Sequence, residues 1–212
     1  MRRHRRQGRA RAGYTLIEVM MAVAVMTAGA VGIMALHQAT MRGNLDARQV
    51  ATATHLASTW VERLQRDATG WSQAARPGTT VVPPLMLANT RYLNLVPALG
   101  AAPTWLVPGP STATESASFD HWGRDTVIAG QMEYCTNVRL QWVYVGQAMR
   151  ADVRVWWARH NPSVVGGAGL ANCGAGLDPN TLTNRLRDVR FVYASTVIRW
   201  VPAPAGAAAG GP

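Results

Sequence analysis

The chain has 212 residues, 48% of them hydrophobic, with 21 basic and 11 acidic side chains and a formal net charge of +10. That length suits one anchor and one modest globular domain. Two Cys, at 135 and 173, are too few and too far apart for a zinc centre.

Residues 1–13 form a basic leader with six Arg and no acid. Without it, 15 Arg stand against 11 acids, about +4, so most of the net charge sits ahead of the first apolar segment. Positive residues flanking a span stay cytoplasmic, which puts everything C-terminal to the span outside the inner membrane. Both Cys then lie in an oxidising compartment, where one Cys135–Cys173 disulfide is the natural reading.

Residues 14–36 read as a membrane-length helix with one charge, Glu18. A carboxylate in such a segment costs about 2.5–3.5 kcal/mol at the bilayer centre and less near an edge, so it marks a functional residue. It sits in the run Gly13-Tyr14-Thr15-Leu16-Ile17-Glu18-Val19. Basic leader, this run and the apolar stretch together resemble the processing signal of type IV prepilins, with Tyr14 in the place of the usual Phe. The resemblance implies cleavage between Gly13 and Tyr14 by a prepilin peptidase, which also N-methylates Tyr14. It implies further that the Glu18 carboxylate pairs with the N-terminal amine of a neighbouring subunit. Burying either charge alone is expensive, and pairing offsets part of both costs.

Four plainer readings compete. A secretory signal would be cut near Ala28-Gly29-Ala30, yet the apolar run continues through Leu36 and Glu18 interrupts it. A twin-arginine signal, a basic nucleic-acid arm and an uncut single-pass anchor each leave the Gly13–Val19 run unexplained.

Residues 37–70 continue as the amphipathic half of the helix. They hold no Pro, and Leu56, Trp60 and Leu64 recur at helical spacing, the face expected to pack on the globular domain, with Gly70 as C-cap. Residues 30–44 and 62–67 resemble the PilV-type minor pilins, and pseudopilins of type II secretion share part of the pattern. Residues 71–131 are a Pro-rich variable connection with short strands expected near 79–82 and 91–96.

Residues 132–201 read as an antiparallel sheet. Tyr134, Thr136, Val138 and Leu140 alternate with Cys135, Asn137, Arg139 and Gln141, the pattern of a half-buried strand with a polar face. A turn at Gly146-Gln147 leads to a second strand, and a last strand over 188–200 is expected to bulge or bend near Ala194-Ser195. The tail, 202–212, is rich in Pro, Ala and Gly and reads as disordered. The fold class is α+β, type IV pilin-like: a long N-terminal helix packed on an antiparallel sheet.

No metal spacing, phosphate loop or nucleophile elbow occurs, so no catalysis, cofactor or metal is expected. His121 with Asp120 and Asp125 reads as a solvated turn. Arg next to aromatics in the strands reads as cross-strand packing rather than a nucleic-acid surface, and nucleic acid is not an expected partner. The resemblance implies a minor pilin that primes or caps a type IV pilus near its tip. Its partners would be other pilins, the prepilin peptidase/methyltransferase, the inner-membrane assembly platform and a tip adhesin. Such a chain would cross the inner membrane once, N-terminus cytoplasmic and C-terminal domain periplasmic, before entering a surface filament. The alternatives are a minor pseudopilin of type II secretion and a DNA-uptake pilin.

Overall fold

The computed structural model describes residues 13–72, 87–88, 90–109, 112, 114–159, 173 and 178–200. No Pro interrupts residues 16–72, and Ala, Leu, Met, Gln and Arg are good helix formers. They build one helix, α1, Leu16–Ser72. It does not stop at Gly70, because Trp71 is buried in the core and helical packing outweighs the glycine.

The chain divides into two compact units, Met1–Arg48 and Gln49–Pro212. In the first, the described residues are the exposed forward part of α1 and the three residues ahead of it. In the second, residues 49–72 of α1 pack on a four-stranded antiparallel sheet, giving an α+β arrangement consistent with the type IV pilin fold. The strands are β1 Ser118–Phe119, β2 Tyr134–Tyr144, β3 Ala148–Ala158 and β4 Val189–Arg199, in spatial order β1-β2-β3-β4. Gly146 turns β2 into β3 with φ of +70°, a conformation that favours glycine.

The buried stripe of α1 is Ala53, Leu56, Trp60, Leu64, Ala68 and Trp71. Three- and four-residue steps keep these side chains on one face. That face meets Val138, Leu140, Met149, Val153, Val155 and Ile198 from the sheet. Gly123 lies against the helix: a Cβ there would come within 3.3 Å of the Thr52 methyl, and its φ is +79°. Arg63, also nearly buried, holds Asp125 through two bonds of 3.0 and 2.6 Å and stacks 5.0 Å from the Trp60 ring centroid.

The far face of the sheet corrects the expectation of a polar, solvated side. Cys135, Asn137, Asp152, Arg154 and Trp156 are all buried there. Cross-strand register explains how the polar ones are tolerated. Arg139 on β2 lies opposite Asp152 on β3, which lies opposite Ser195 on β4; Asp152 accepts from Arg139 Nη2 at 2.9 Å and from the Ser195 hydroxyl at 2.7 Å. Burial opposes ionisation of Asp152, but the Ser195 hydroxyl and the Arg139 and Arg150 guanidinia hold its pKa below the usual carboxylate value.

One step along, Arg154 donates from Nη2 to Asn137 Oδ1 at 2.9 Å and to the Pro179 carbonyl at 2.7 Å. Its guanidinium stacks on Trp105 at 4.3 Å and on Phe191 at 5.2 Å. No carboxylate pairs with it among the described residues. Desolvated cation–π contacts of about 2 kcal/mol stand in for an ion pair, and burial lowers the Arg154 pKa from its ordinary value. Arg and aromatic side chains here pack on one another. A second cluster of Cys135, Trp156, Leu182 and Val189 lies beside them, and Cys135 is bonded to Cys173 with Cα atoms 5.3 Å apart.

Other expectations are corrected. Residues 91–96 hold a 3-10 turn, Leu93–Leu95, not a strand. The Asp67 carboxylate accepts from the backbone N–H groups of Arg91, Tyr92 and Leu93 at 2.7–2.9 Å, which fixes a turn rather than a ladder. β4 pairs with β3 without interruption, so there is no bulge at Ala194-Ser195; the irregularity falls in β2 between Trp142 and Tyr144. Alternation is kept in β4 because Ala194 faces the core while Ser195 bonds Asp152. The turn around His121 is not simply solvated. Asp120 is buried and accepts from the N–H groups of Trp122 and Arg124 and from Arg124 Nε, and these bonds keep its pKa low against the opposing effect of burial. The strand expected at 79–82 and the tail 202–212 lie outside the described residues.

Candidate functional site

Gly13, Tyr14 and Thr15 precede the helix and are exposed. The Thr15 carbonyl accepts from the N–H of Glu18 at 3.1 Å and of Val19 at 3.3 Å, so Thr15 closes the first turn. Glu18 lies in that turn. A carboxylate there complements the positive end of the helix dipole, worth about 0.3–1 kcal/mol at an exposed site. That is a local reason for an acid at this position. It does not explain why this acid opens an otherwise apolar segment, and the Glu18 carboxylate has no side-chain partner among the described residues.

Beyond Glu18, residues 19–41 carry no charged side chain. Leu16, Ile17, Val25, Met26, Ile33 and Leu36 all stand exposed on this segment. Residues 16–36 rise about 30 Å at 1.5 Å per residue, the thickness of a bilayer's hydrocarbon core. By length and composition α1 can cross a membrane. Thr27, the most polar side chain between Glu18 and His37, donates its hydroxyl to the Ala24 carbonyl at 2.9 Å. Thr40 does the same to Leu36 at 2.9 Å. Both hydroxyls are thereby satisfied without water. Sequence reading did not single out this pair; Ser or Thr in an apolar helix is the available signal.

No neighbour among the described residues requires the glycines of this segment. A Cβ added at Gly13, Gly29, Gly32 or Gly43 would meet nothing within 4 Å. Each helical one still costs about 1 kcal/mol relative to Ala. Small residues earn that cost only where another backbone comes close, as between packed helices.

Cys135 and Cys173 belong to the other unit. Among the described residues no group of three His, Cys, Asp or Glu is placed to hold a metal ion. The arrangement offers an exposed Gly13–Tyr14 pair, a first-turn carboxylate and an apolar helix segment whose side chains are exposed among the described residues.

Residues 8–34 match the family model described as the prokaryotic N-terminal methylation motif. Such a motif indicates a protein of the type IV pilin or pseudopilin kind, which fits a membrane-anchored chain with an apolar N-terminal helix. Comparison with curated proteins and with solved structures gives no match.

Proposed function

We propose that this protein is a minor pilin of a type IV pilus, acting by assembly rather than chemistry and priming or capping the filament near its tip. One observation carries the reading: a helix whose apolar side chains are exposed over residues 16–36 opens with a carboxylate in its first turn, within the stretch that matches the methylation motif. In the inner membrane lipid covers that surface; in a filament the helices of other pilins cover it. The basic leader keeps the N-terminus cytoplasmic, where the prepilin peptidase cuts between Gly13 and Tyr14 and methylates Tyr14. The sheet-bearing unit is periplasmic. The assembly platform then moves the subunit from bilayer to filament, and a tip adhesin is a further partner.

Within the bundle Glu18 pairs with the N-terminal amine of a neighbouring subunit. Gly13→Val is expected to block cutting. Because a side chain at Gly13 meets nothing within 4 Å among the described residues, we attribute such a block to the peptidase's close approach to the backbone. In the exported chain Cys135 and Cys173 remain joined, and non-reducing peptide mapping is expected to return them as one linked pair; two free thiols would refute this.

The test of assembly is Glu18→Ala. Removing the carboxylate makes the span more apolar, so the level in the membrane should hold. Stranding the partner ammonium in an apolar bundle costs about 3–5 kcal/mol, enough to cut incorporation into sheared filaments severely. Normal incorporation of the Ala variant would deny Glu18 an assembly role.

A further inference from the structure

β4 is the last strand of the sheet, and its outer edge carries no strand among the described residues. The direction of its backbone groups follows from its ends. Arg159 N–H donates to the Asp188 carbonyl, and Trp200 N–H donates to the Gln147 carbonyl. Even-numbered residues therefore bond inward to β3, and alternation turns the N–H and C=O groups of Phe191, Tyr193, Ser195 and Val197 outward. The register with β3 runs unbroken over eleven residues, so this edge is long and regular. Tyr193 and Val197 are 55% and 54% exposed beside it. Soluble proteins usually blunt such an edge with Pro, a bulge or a short strand. β1, at the opposite side of the sheet, is blunted by being two residues long; β4 has none of these devices.

Charge decides between the candidate occupants. β4 carries Arg190 and Arg199 and no acid, and Arg187 stands exposed just before it. Asp188 just before the strand pairs with Arg185, and Asp152 opposite Ser195 pairs with Arg139 and Arg150. Two copies of this edge would bring like charges together, which is destabilising across a strand pair. A strand with carboxylates near its ends would gain both the ladder and the charge match.

We propose that the outer edge of β4, which pairs with no strand among the described residues, accepts as a fifth strand an extended segment of a different protein that carries carboxylates at its ends. Main-chain bonds to residues 191–197 would supply affinity, and Arg187 and Arg199 would set preference. The inference stands apart from the membrane helix and from the filament reading.

The test uses the full chain in detergent micelles and two labelled peptides of roughly ten residues, the length of the edge. Both alternate Thr and Val; one ends in Glu pairs, the other in Arg pairs. Binding is read by fluorescence anisotropy. The Glu-ended peptide is expected to bind at least about tenfold more tightly than its twin. Val197→Pro removes an outward N–H while leaving the ladder to β3 intact, and should weaken binding about tenfold. Its thermal unfolding midpoint shows whether it has folded. Arg199→Glu keeps every ladder bond and should narrow or reverse the preference between the peptides. Equal binding of the two peptides, no binding of either, or unchanged binding in both variants would overturn the proposal. So would cross-links joining the β4 strands of two copies, which would make a second copy the occupant.

Discussion

One helix, α1, meets two environments. In residues 16–48 its apolar side chains are exposed, Leu36 to 72%; in residues 49–72 the same kinds of residue are buried, Leu64 completely. Helix propensity does not distinguish the halves. Pattern does: residues 19–36 of the forward part are apolar all round, whereas the rear part concentrates Leu56, Trp60 and Leu64 on one face and leaves Glu62, Gln65 and Arg66 exposed on the other. The forward part stays exposed among the described residues, and the rear part is covered by the chain's own sheet.

Substitutions should therefore act very differently in the two halves. The largest effect is expected for Trp60→Ala, which leaves a cavity against Tyr92 and removes the ring under Arg63. A loss of about 4 kcal/mol should appear in thermal unfolding of the full chain followed by circular dichroism. Asp125→Ala should cost about 3 kcal/mol, because it strands the nearly buried Arg63 guanidinium. A double-mutant cycle with Arg63→Met, which removes the stranded charge, should recover a large part of that loss.

Asp152→Asn comes next, at about 2 kcal/mol near neutral pH from weakened bonds to Arg139, Arg150 and Ser195. Its effect is also pH-dependent. The folded-state pKa of Asp152 lies below the ordinary value of 3.8, so its contribution is fully present above that value and is lost as pH falls through the folded one. Acid titration of unfolding should show a shallower loss of stability below about pH 4 in the Asn variant than in the parent. The smallest effect is expected for Leu36→Ala, under about 0.5 kcal/mol in sheet unfolding, because its side chain touches no core. If Leu36→Ala matched Trp60→Ala, the contrast between the halves would collapse.

Much of this contrast is legible in the sequence. Residues 16–72 without Pro, the Leu56-Trp60-Leu64 spacing and the period-2 runs of β2 and β3 announce a long helix on an antiparallel sheet. Elements set by distant partners are not legible. The run Arg91-Tyr92-Leu93-Asn94-Leu95-Val96 alternates like a strand, and its outcome is decided by the Asp67 carboxylate. β1 is two residues long, too short to show any period. Arg139, Asp152 and Arg154 look like a solvated face because charge normally marks solvent. Here cross-strand register ties half-buried Arg139 to buried Asp152, and the cover of Trp105 and Phe191 buries Arg154. In the candidate site the methylation motif is local and therefore readable. In the proposed reading the partners of Glu18 and of the apolar helix are other molecules, whose positions one chain's sequence does not encode.

The central claim is that the forward helix belongs to a processed, membrane-to-filament subunit. Intact-mass analysis of the protein extracted from membranes tests it most directly. The expected species begins at Tyr14 and carries one additional methyl group. A chain that retains residues 1–13, or one that begins at Val31 after signal-peptide cleavage, would contradict the account.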